Sequence, residues 1–140
     1  MFITRECDYA VRVIRALAGE KRLSATDICE REEITAPFAY KILKKLQKAN
    51  IISGFRGVHG GYKMEKSVDQ ITLLDVYRAI EPDIYIIECL NPKKPCAHKE
   101  NLEDGCKVHD ELEHIQSELC RLLSEKTLGD ILSSPCQKEA

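Results

Sequence analysis

Apolar positions near the N-terminus recur every three to four residues, the spacing of one face of an α-helix. The apolar residues of this face are Tyr9, Val13, Ala16 and Leu17. The pattern predicts a helix over residues 5–18, ended by Gly19, because glycine readily adopts the backbone conformation that follows a helix. Ser24 and Asp27 then match a capping box, which opens a short second helix.

A third helix is predicted next, and its faces differ in chemistry. Thr35 caps it, and Pro37 lies in its first turn, where a missing N–H has no cost. Its predicted buried stripe consists of Phe38, Ile42, Leu43 and Leu46. Its remaining faces carry Tyr40, Lys41, Lys44, Lys45 and Lys48. Two helices joined by a short turn, the second rich in lysine, are typical of a helix-turn-helix motif.

A β-hairpin is predicted directly after this helix. Residues 51–55 alternate as a strand does, and Tyr62-Lys63-Met64 form the returning strand. The intervening RGVHGG supplies glycines for a tight turn. A hairpin at this position is the wing of a winged helix-turn-helix domain.

The second half of the chain is predicted to hold a short helix, an irregular segment and a long helix. Thr72 caps a helix that ends at Ile80, and residues 82–105 show no regular period. From Cys106 to about Glu125, apolar residues are spaced four, three, four and three apart, which is an a/d seam. The seam residues are Val108, Leu112, Ile115, Leu119 and Leu122.

These elements predict a mainly α-helical fold with one small β-hairpin. The predicted organisation is a winged helix-turn-helix DNA-binding domain at 1–81, a cysteine-rich loop at 82–106, a dimerisation helix at 107–132 and a polar tail at 133–140. A homodimer is expected, because palindromic DNA sites require two-fold symmetry. The predicted interface residues are Leu112, Ile115, Leu119 and Leu122.

Charge is distributed unevenly along this chain, whose net charge is −2. Residues 1–66 carry 13 basic and 8 acidic side chains, whereas residues 67–140 carry 8 and 15. Within residues 36–66 there are seven basic side chains and one acidic one. A basic segment in an acidic chain indicates an anionic partner, with nucleic acid the first candidate.

The residues predicted to contact DNA lie on the third helix and the wing. Recognition needs some side chains that reach base edges and others that bind phosphate. Arg56 is suited to a narrow minor groove, which attracts guanidinium groups. The other predicted contacts are Pro37, Phe38, Tyr40, Lys41, Lys44, His59 and Gly60. The alternatives are lysines that only keep a helix soluble, and a winged-helix adaptor that binds protein.

Composition narrows the class of protein. The N-terminus has scattered charges and no signal-peptide core, and no apolar run reaches the length of a membrane span, so the sequence predicts a cytoplasmic protein. The glycines of RGVHGG belong to a hairpin and not to a phosphate-binding loop, and no nucleophile triad is visible, so an enzyme is not expected. Seven cysteines in a reducing compartment indicate metal ligation or redox sensing.

Three of the cysteines, Cys89, Cys96 and Cys106, lie in the irregular segment. Iron–sulfur clusters are held mainly by thiolates, so this loop predicts a two-iron or four-iron cluster. Alternatives are structural zinc, a cluster-free thiol switch and cysteines without function. Cys106 and His109 lie one turn apart at the start of the long helix, and His98 is a further possible ligand. The cysteines outside the loop are Cys7, Cys29, Cys120 and Cys136.

The order of these elements resembles the bacterial Rrf-two family of winged-helix regulators over nearly the whole chain. The segment Arg56-Gly57-Val58-His59-Gly60-Gly61-Tyr62 looks like the family's RGxxGGY. Supporting segments are Asp8-Tyr9-Ala10, Asp27-Ile28 and Thr127-Leu128-Gly129-Asp130-Ile131-Leu132. The resemblance implies a homodimeric repressor of a double-stranded DNA operator. It also implies an iron–sulfur cluster if the chain is like IscR or NsrR, and a thiol switch if it is like CymR.

The resemblance offers two residues for the fourth cluster ligand. His109 follows the last loop cysteine by three positions, as in IscR-like members, whereas Asp8 matches an aspartate that NsrR-like members supply from the other subunit. We favour Asp8, which would tie the cluster directly to the DNA-binding helices. The cysteine spacing is less equal than is usual in the family, so the cluster type stays open. Tyr40 and Lys41 replace base-reading residues of IscR, so its operator is not carried over.

Overall fold

The computed structural model describes residues 3–134, with residues 99 and 100 described by their backbone alone. The helices are α1 (Arg5–Leu17), α2 (Ala25–Glu32), α3 (Ala36–Lys48), α4 (Leu73–Ile80), α5 (Ala97–Glu100), α6 (Lys107–Glu125) and α7 (Leu128–Ser133). One antiparallel hairpin joins β1 (Ile52–Phe55) to β2 (Gly61–Met64). The predicted tail at 133–140 lies outside the described residues from 135 onward, as does Cys136.

The hydrophobic core lies where α1 packs against α2, α3 and α4. Its fully buried side chains include Val13, Ile14, Leu17, Ile28, Ile42, Leu43, Leu46 and Val76. Burying one such aliphatic side chain stabilises the fold by about 1.5–3 kcal/mol. The inner face of α3 is therefore fixed, and its outer face projects into solvent.

The predicted helix-turn-helix is present in α2 and α3. Ser24 and Asp27 form the predicted capping box, in which each side chain meets the backbone N–H of the other residue. Glu33 ends α2 in the left-handed conformation, with φ of 53°, and Thr35 is the N-cap of α3. This short turn reverses the chain direction, which places α3 beside α1.

Phe38 differs from the prediction, because it lies outside the buried stripe of α3. Its side chain is 41% exposed, whereas Ala39 is fully buried. Residues 39, 42, 43 and 46 follow the i, i+3, i+4, i+7 pattern of one helix face, and residue 38 lies beside that face. The Phe38 ring instead packs edge-on against Tyr9 of α1, with ring centroids 5.7 Å apart.

The predicted hairpin is confirmed, with Ile52 opposite Met64 and Phe55 opposite Gly61. Leu23, which precedes α2, exchanges two backbone hydrogen bonds with Tyr62, at 2.7 and 2.9 Å. Gly61 has φ of +143°, and a Cβ atom there would lie 2.5 Å from the carbonyl oxygen of Leu23. The close approach of Leu23 to the hairpin therefore requires glycine at position 61.

The C-terminal half extends from this domain and returns to it. Residues 82–105 were predicted to be irregular, but they contain a 3-10 turn at Glu88–Leu90 and the four-residue helix α5. The long helix was predicted from Cys106, which is the N-cap of α6. After α6, Leu128 is fully buried, and its N–H donates to the carbonyl of Ile71 at 2.8 Å. None of the described helices is both long and apolar enough to cross a membrane.

Candidate DNA-binding surface and cysteine pocket

The outer face of α3 carries exposed polar and basic side chains. Opposite the buried stripe, the exposed residues of this helix include Pro37, Tyr40, Lys41, Lys44 and Lys48. Tyr40 is 56% exposed. Within residues 3–134, Lys44 makes no ion pair, so its ammonium group is available to an anion. The surface suits a phosphate backbone with neighbouring base edges.

Lys41 is engaged by a residue that the sequence did not single out. Glu6, in the first turn of α1, lies 2.5 Å from the Lys41 ammonium and 2.6 Å from that of Lys45. The hydrogen bonds from Lys41 and then Lys45 lower the pKa of Glu6 below its ordinary value. Two lysines one helical turn apart thus converge on a single ionised carboxylate.

The wing is held from the side by Arg22. Its guanidinium lies 4.2 Å from the centroid of the Phe55 ring, and it donates a hydrogen bond to the carbonyl of His59. Lys63 also lies over this ring, at 5.1 Å. Arg56 and His59 are both exposed, and Arg56 makes no ion pair within the described part of the chain. Arg56 is therefore presented at the wing without an internal partner.

Three predicted ligands line one cavity of about 260 Å³, namely Cys89, Cys96 and His109. Local structure positions each of them: Cys89 lies in the 3-10 turn, Cys96 is the N-cap of α5, and His109 lies in the first turn of α6. Two prolines of the loop, Pro92 and Pro95, also line the cavity. Segments far apart in sequence thus bring two thiols and an imidazole to one place.

His109 is buried, with only 8% of its surface exposed. Among the described residues, its Nδ1 atom has no hydrogen-bond partner. An unsatisfied buried polar atom typically destabilises a fold by about 1–3 kcal/mol, so such an atom normally has a partner, which can be water, an ion or another ligand. A neutral imidazole nitrogen is a good metal ligand. The remaining loop cysteine, Cys106, is adjacent, and its Sγ accepts a hydrogen bond from the His109 N–H at 3.4 Å.

The donor set fits an iron–sulfur cluster in its chemistry. Thiolates with one imidazole are known cluster ligands. Within residues 3–134, no three candidate ligands converge closely enough to hold a single metal ion. Two of the thiols, of Cys89 and Cys96, and the His109 imidazole line one cavity of about 260 Å³.

The other candidate ligands lie outside this cavity. Asp8 is on α1, 54% exposed, and its carboxylate lies 3.1 Å from the Arg12 guanidinium. His98 is exposed on α5. A role for Asp8 across a dimer interface stays a prediction.

The described cysteines outside the loop occupy ordinary positions. Cys7 is fully buried in the core and accepts a hydrogen bond from the Thr4 hydroxyl at 3.4 Å. Cys29 is half-buried, and burial raises the pKa of its thiol, which disfavours the reactive thiolate. Cys120 packs against the core from α6. None of the three lines the cysteine cavity.

Gln116 connects the long helix to the segment that leads into the cysteine loop. Its Oε1 atom accepts from the N–H of Ile86, and its Nε2 atom donates to the carbonyl of Ile84, both at 2.8 Å. The side-chain amide thus makes the two hydrogen bonds that a neighbouring β-strand would otherwise make with this segment. These two hydrogen bonds therefore link α6 to the segment before the loop.

We expect Gln116→Leu to lower the free energy of unfolding by about 1–3 kcal/mol, because the Ile86 N–H and the Ile84 carbonyl would lose their partners. Urea denaturation followed by circular dichroism measures this change. Gln70→Leu is the matched control, since Gln70 is exposed and lies on a different element. Equal free energies of unfolding for the two variants would show that the hydrogen bonds of the Gln116 amide contribute nothing to stability.

The residues of the predicted a/d seam of α6 lie on two different faces of the helix, one packed against the protein's core and one exposed. Leu119 packs against the protein's own core together with Cys120 and Leu123, and Leu112 is half-buried. Val108, Ile115 and Leu122 remain exposed by 68%, 45% and 55%. These three residues are seven positions apart, so they form one apolar stripe along the helix.

The chain is similar to known proteins over nearly its whole length. Residues 3–134 match the model of the Rrf2 family, described as an iron-dependent transcriptional regulator. The chain is 28% identical over 145 residues to protein rrf2 of Nitratidesulfovibrio vulgaris, which covers 100% of this chain and 94% of that protein. It is 28% identical over 136 residues to the HTH-type transcriptional regulator NsrR of Bacillus licheniformis, covering 94% and 92%.

Solved structures share the fold. CymR, the global cysteine regulator of B. subtilis, superposes with a TM-score of 0.75 at 24% identity and covers 97% of this chain and 99% of that one. T. potens IscR gives a TM-score of 0.72 at 21% identity and covers 100% and 93%. The predicted fold class, a mainly helical winged helix, is confirmed.

Proposed function

This chain belongs to the Rrf2 family of transcriptional regulators, and from that membership we propose that it is a homodimeric repressor whose operator affinity is set by an iron–sulfur cluster in the Cys89–Cys106 loop. The family consists of DNA-binding regulators and not of enzymes, as the sequence predicted. A repressor of this kind acts on double-stranded DNA in the bacterial cytoplasm. The proposed stimulus is nitric oxide, iron, oxygen or redox state.

The observation that carries the proposal is the buried Nδ1 atom of His109, which has no partner among the described residues and lies beside Cys89 and Cys96. Cys106 is the proposed third thiolate, because it caps the helix in which His109 lies. A bound cluster would supply iron that reacts with oxygen or nitric oxide. His109 has the stronger structural support as the fourth ligand within one chain, and Asp8 remains the candidate across the dimer.

The residues of this chain provide a physical route from the pocket to the DNA-binding surface. Cys106 and His109 lie at the start of α6, and Gln116, two turns further on, binds the backbone at 84–86. That segment follows α4, whose last carbonyl, on Ile80, accepts a hydrogen bond from Lys45 of α3 at 3.2 Å. These hydrogen bonds, with the short backbone segment between residues 80 and 84, would let a change in the loop reach α3. Coupling between two such sites is typically about 5- to 150-fold in affinity.

Proposed DNA contacts are those of α3 and the wing. Pro37, Phe38, Tyr40 and Lys44 would lie in the major groove, with Arg56, His59 and Gly60 at the adjacent minor groove. Lys41 lies beside them but is paired with Glu6. The proposed dimer joins the α6 helices of two chains. Its apolar contacts would come from the exposed Ile115 and Leu122 and the half-buried Leu112, with the exposed Val108 extending the stripe. Leu119, the other seam residue, packs against the protein's own core.

A second candidate is a cluster-free regulator that responds through its thiols. The observation in its favour is that Cys89 and Cys96 line the same cavity as free cysteines. A regulator of this kind would bind operator DNA without iron. Its affinity would change on oxidation of the thiols instead of on loss of a cluster.

Anaerobic purification followed by iron and acid-labile sulfide assays tests the proposal. We expect both elements at stoichiometric levels, visible absorbance, and a sedimenting mass of twice 15.9 kDa. DNA affinity should fall linearly with the logarithm of salt concentration, as phosphate contacts require. An iron-free dimer that binds DNA would favour the thiol regulator, and a protein without salt-dependent DNA affinity would favour a protein-binding adaptor.

A further inference from the structure

We propose that Glu6 withholds Lys41 from DNA and thereby determines which lysines of α3 contact the operator. The inference rests on the proposed DNA-binding role of α3. It adds a residue outside the helix-turn-helix and the wing to the set that determines DNA affinity. The carboxylate of Glu6 would act as an internal competitor of the DNA phosphate.

The two lysines that bind Glu6 differ in their surroundings. The side chain of Lys45 is 32% exposed, and its ammonium also donates to the Ile80 carbonyl, so it braces α3 against α1 and α4. The Lys41 side chain is 56% exposed and, within the described residues, pairs with Glu6 alone. Lys41 is therefore the lysine that is free to change partners.

The position of Glu6 is fixed and mostly covered. Its side chain is 18% exposed, and each of its two oxygens has its own lysine, at 2.5 Å for Lys41 and 2.6 Å for Lys45. Because Lys45 and the start of α1 hold the carboxylate in place, it does not have to be ordered before it binds Lys41. A pre-positioned carboxylate competes well with a phosphate oxygen for one ammonium group.

Lys41 and Lys44 flank the outermost line of α3, opposite the buried stripe of Ala39, Ile42 and Leu46. With Lys41 held by Glu6, Lys44 and Lys48 are the exposed lysines of this face that make no ion pair within the described residues. The proposed consequence is a weaker general attraction to DNA. Contacts at the wing and at base edges then contribute a larger share of the free energy of DNA binding.

Anisotropy titrations with a labelled duplex of arbitrary sequence test the inference on the full-length protein. We expect Glu6→Gln to bind more tightly than the wild type at low salt. One added phosphate contact raises the salt slope by about 0.9, so the advantage should shrink about threefold between 50 and 200 mM salt. The matched control is Glu20→Gln, which removes the same charge from an ion pair with Arg31 on α2.

Variants of Lys41 and Lys44 in the wild-type background provide a second test in case the Glu6→Gln protein does not fold stably. Lys41→Gln should change the affinity of the wild type little, whereas Lys44→Gln should lower the salt slope by about one. In the Glu6→Gln background, Lys41→Gln should remove the gain. Equal losses from Lys41→Gln and Lys44→Gln in the wild type would overturn the inference. Failure of the wild type itself to bind DNA would instead refute the proposed function.

Discussion

Cys96→Ala is expected to purify anaerobically as a colourless protein without iron or acid-labile sulfide. Cys96 lines the cavity with Cys89 and His109, and a cluster there would lose one of its three proposed loop thiolates. The loss should exceed the roughly 10- to 100-fold decrease in metal affinity that follows a change outside the ligand shell. Iron and sulfide per chain, with the visible spectrum, measure it.

The fold should survive this substitution, because Cys96 is half-buried in the loop and lies outside the hydrophobic core. Cys29→Ala is the matched control: it removes another half-buried thiol, far from the loop in sequence, and should keep its iron. A wild-type protein that contains zinc, or that keeps the same iron in both variants, would contradict the cluster proposal. His109→Ala and Asp8→Ala, purified in parallel, would identify the fourth ligand by which of them lowers iron content.

Local sequence signals predicted most of the fold. The capping box of α2, the cap of α4 at Thr72, the glycines of the hairpin and the start of the long helix at Cys106 each depend on residues a few positions apart. Such interactions form within a single turn, so the sequence specifies them directly. The error at Phe38 was one of phase, because an aromatic residue beside the buried face resembles a core residue until the packing is known.

Side-chain contacts between segments far apart in the sequence could not be predicted in this way. Gln116 contacts Ile86 across 30 positions, Arg22 contacts His59 across 37, and Lys41 contacts Glu6 across 35. No local period or cap signals these pairs, since each depends on how separate elements pack. A glutamate in the first turn of a helix also has an ordinary explanation, because it stabilises the helix dipole.

The choice of the fourth cluster ligand also depends on packing that the sequence does not reveal. From the sequence, Asp8 and His109 were both candidates and Asp8 was favoured. The structure shows His109 lining the cavity, with an Nδ1 atom that no described residue contacts by hydrogen bond, and Asp8 paired with Arg12 on the surface of α1. Burial and side-chain direction distinguish them within one chain, and neither can be derived from spacing.

Arg56→Ala is expected to weaken operator binding about 5- to 150-fold, since a good groove contact contributes about 1–3 kcal/mol of discrimination. Arg56 follows β1 directly and is exposed at the wing. Because the guanidinium has no ion pair within residues 3–134, it can bind DNA without first losing an internal partner. The loss should be largest for duplexes with a narrow, A·T-rich minor groove, where the potential is most negative.

The wing itself should remain folded in this variant. Its shape depends on the strand pairing, on Gly61 and on the contact of Arg22 with the His59 carbonyl, none of which uses the Arg56 side chain. Arg121→Ala is the matched control, because it removes the same charge from an exposed site on α6. Anisotropy titrations at one salt concentration compare the two variants. If both lose the same affinity, Arg56 acts only through general charge and the wing does not enter the groove.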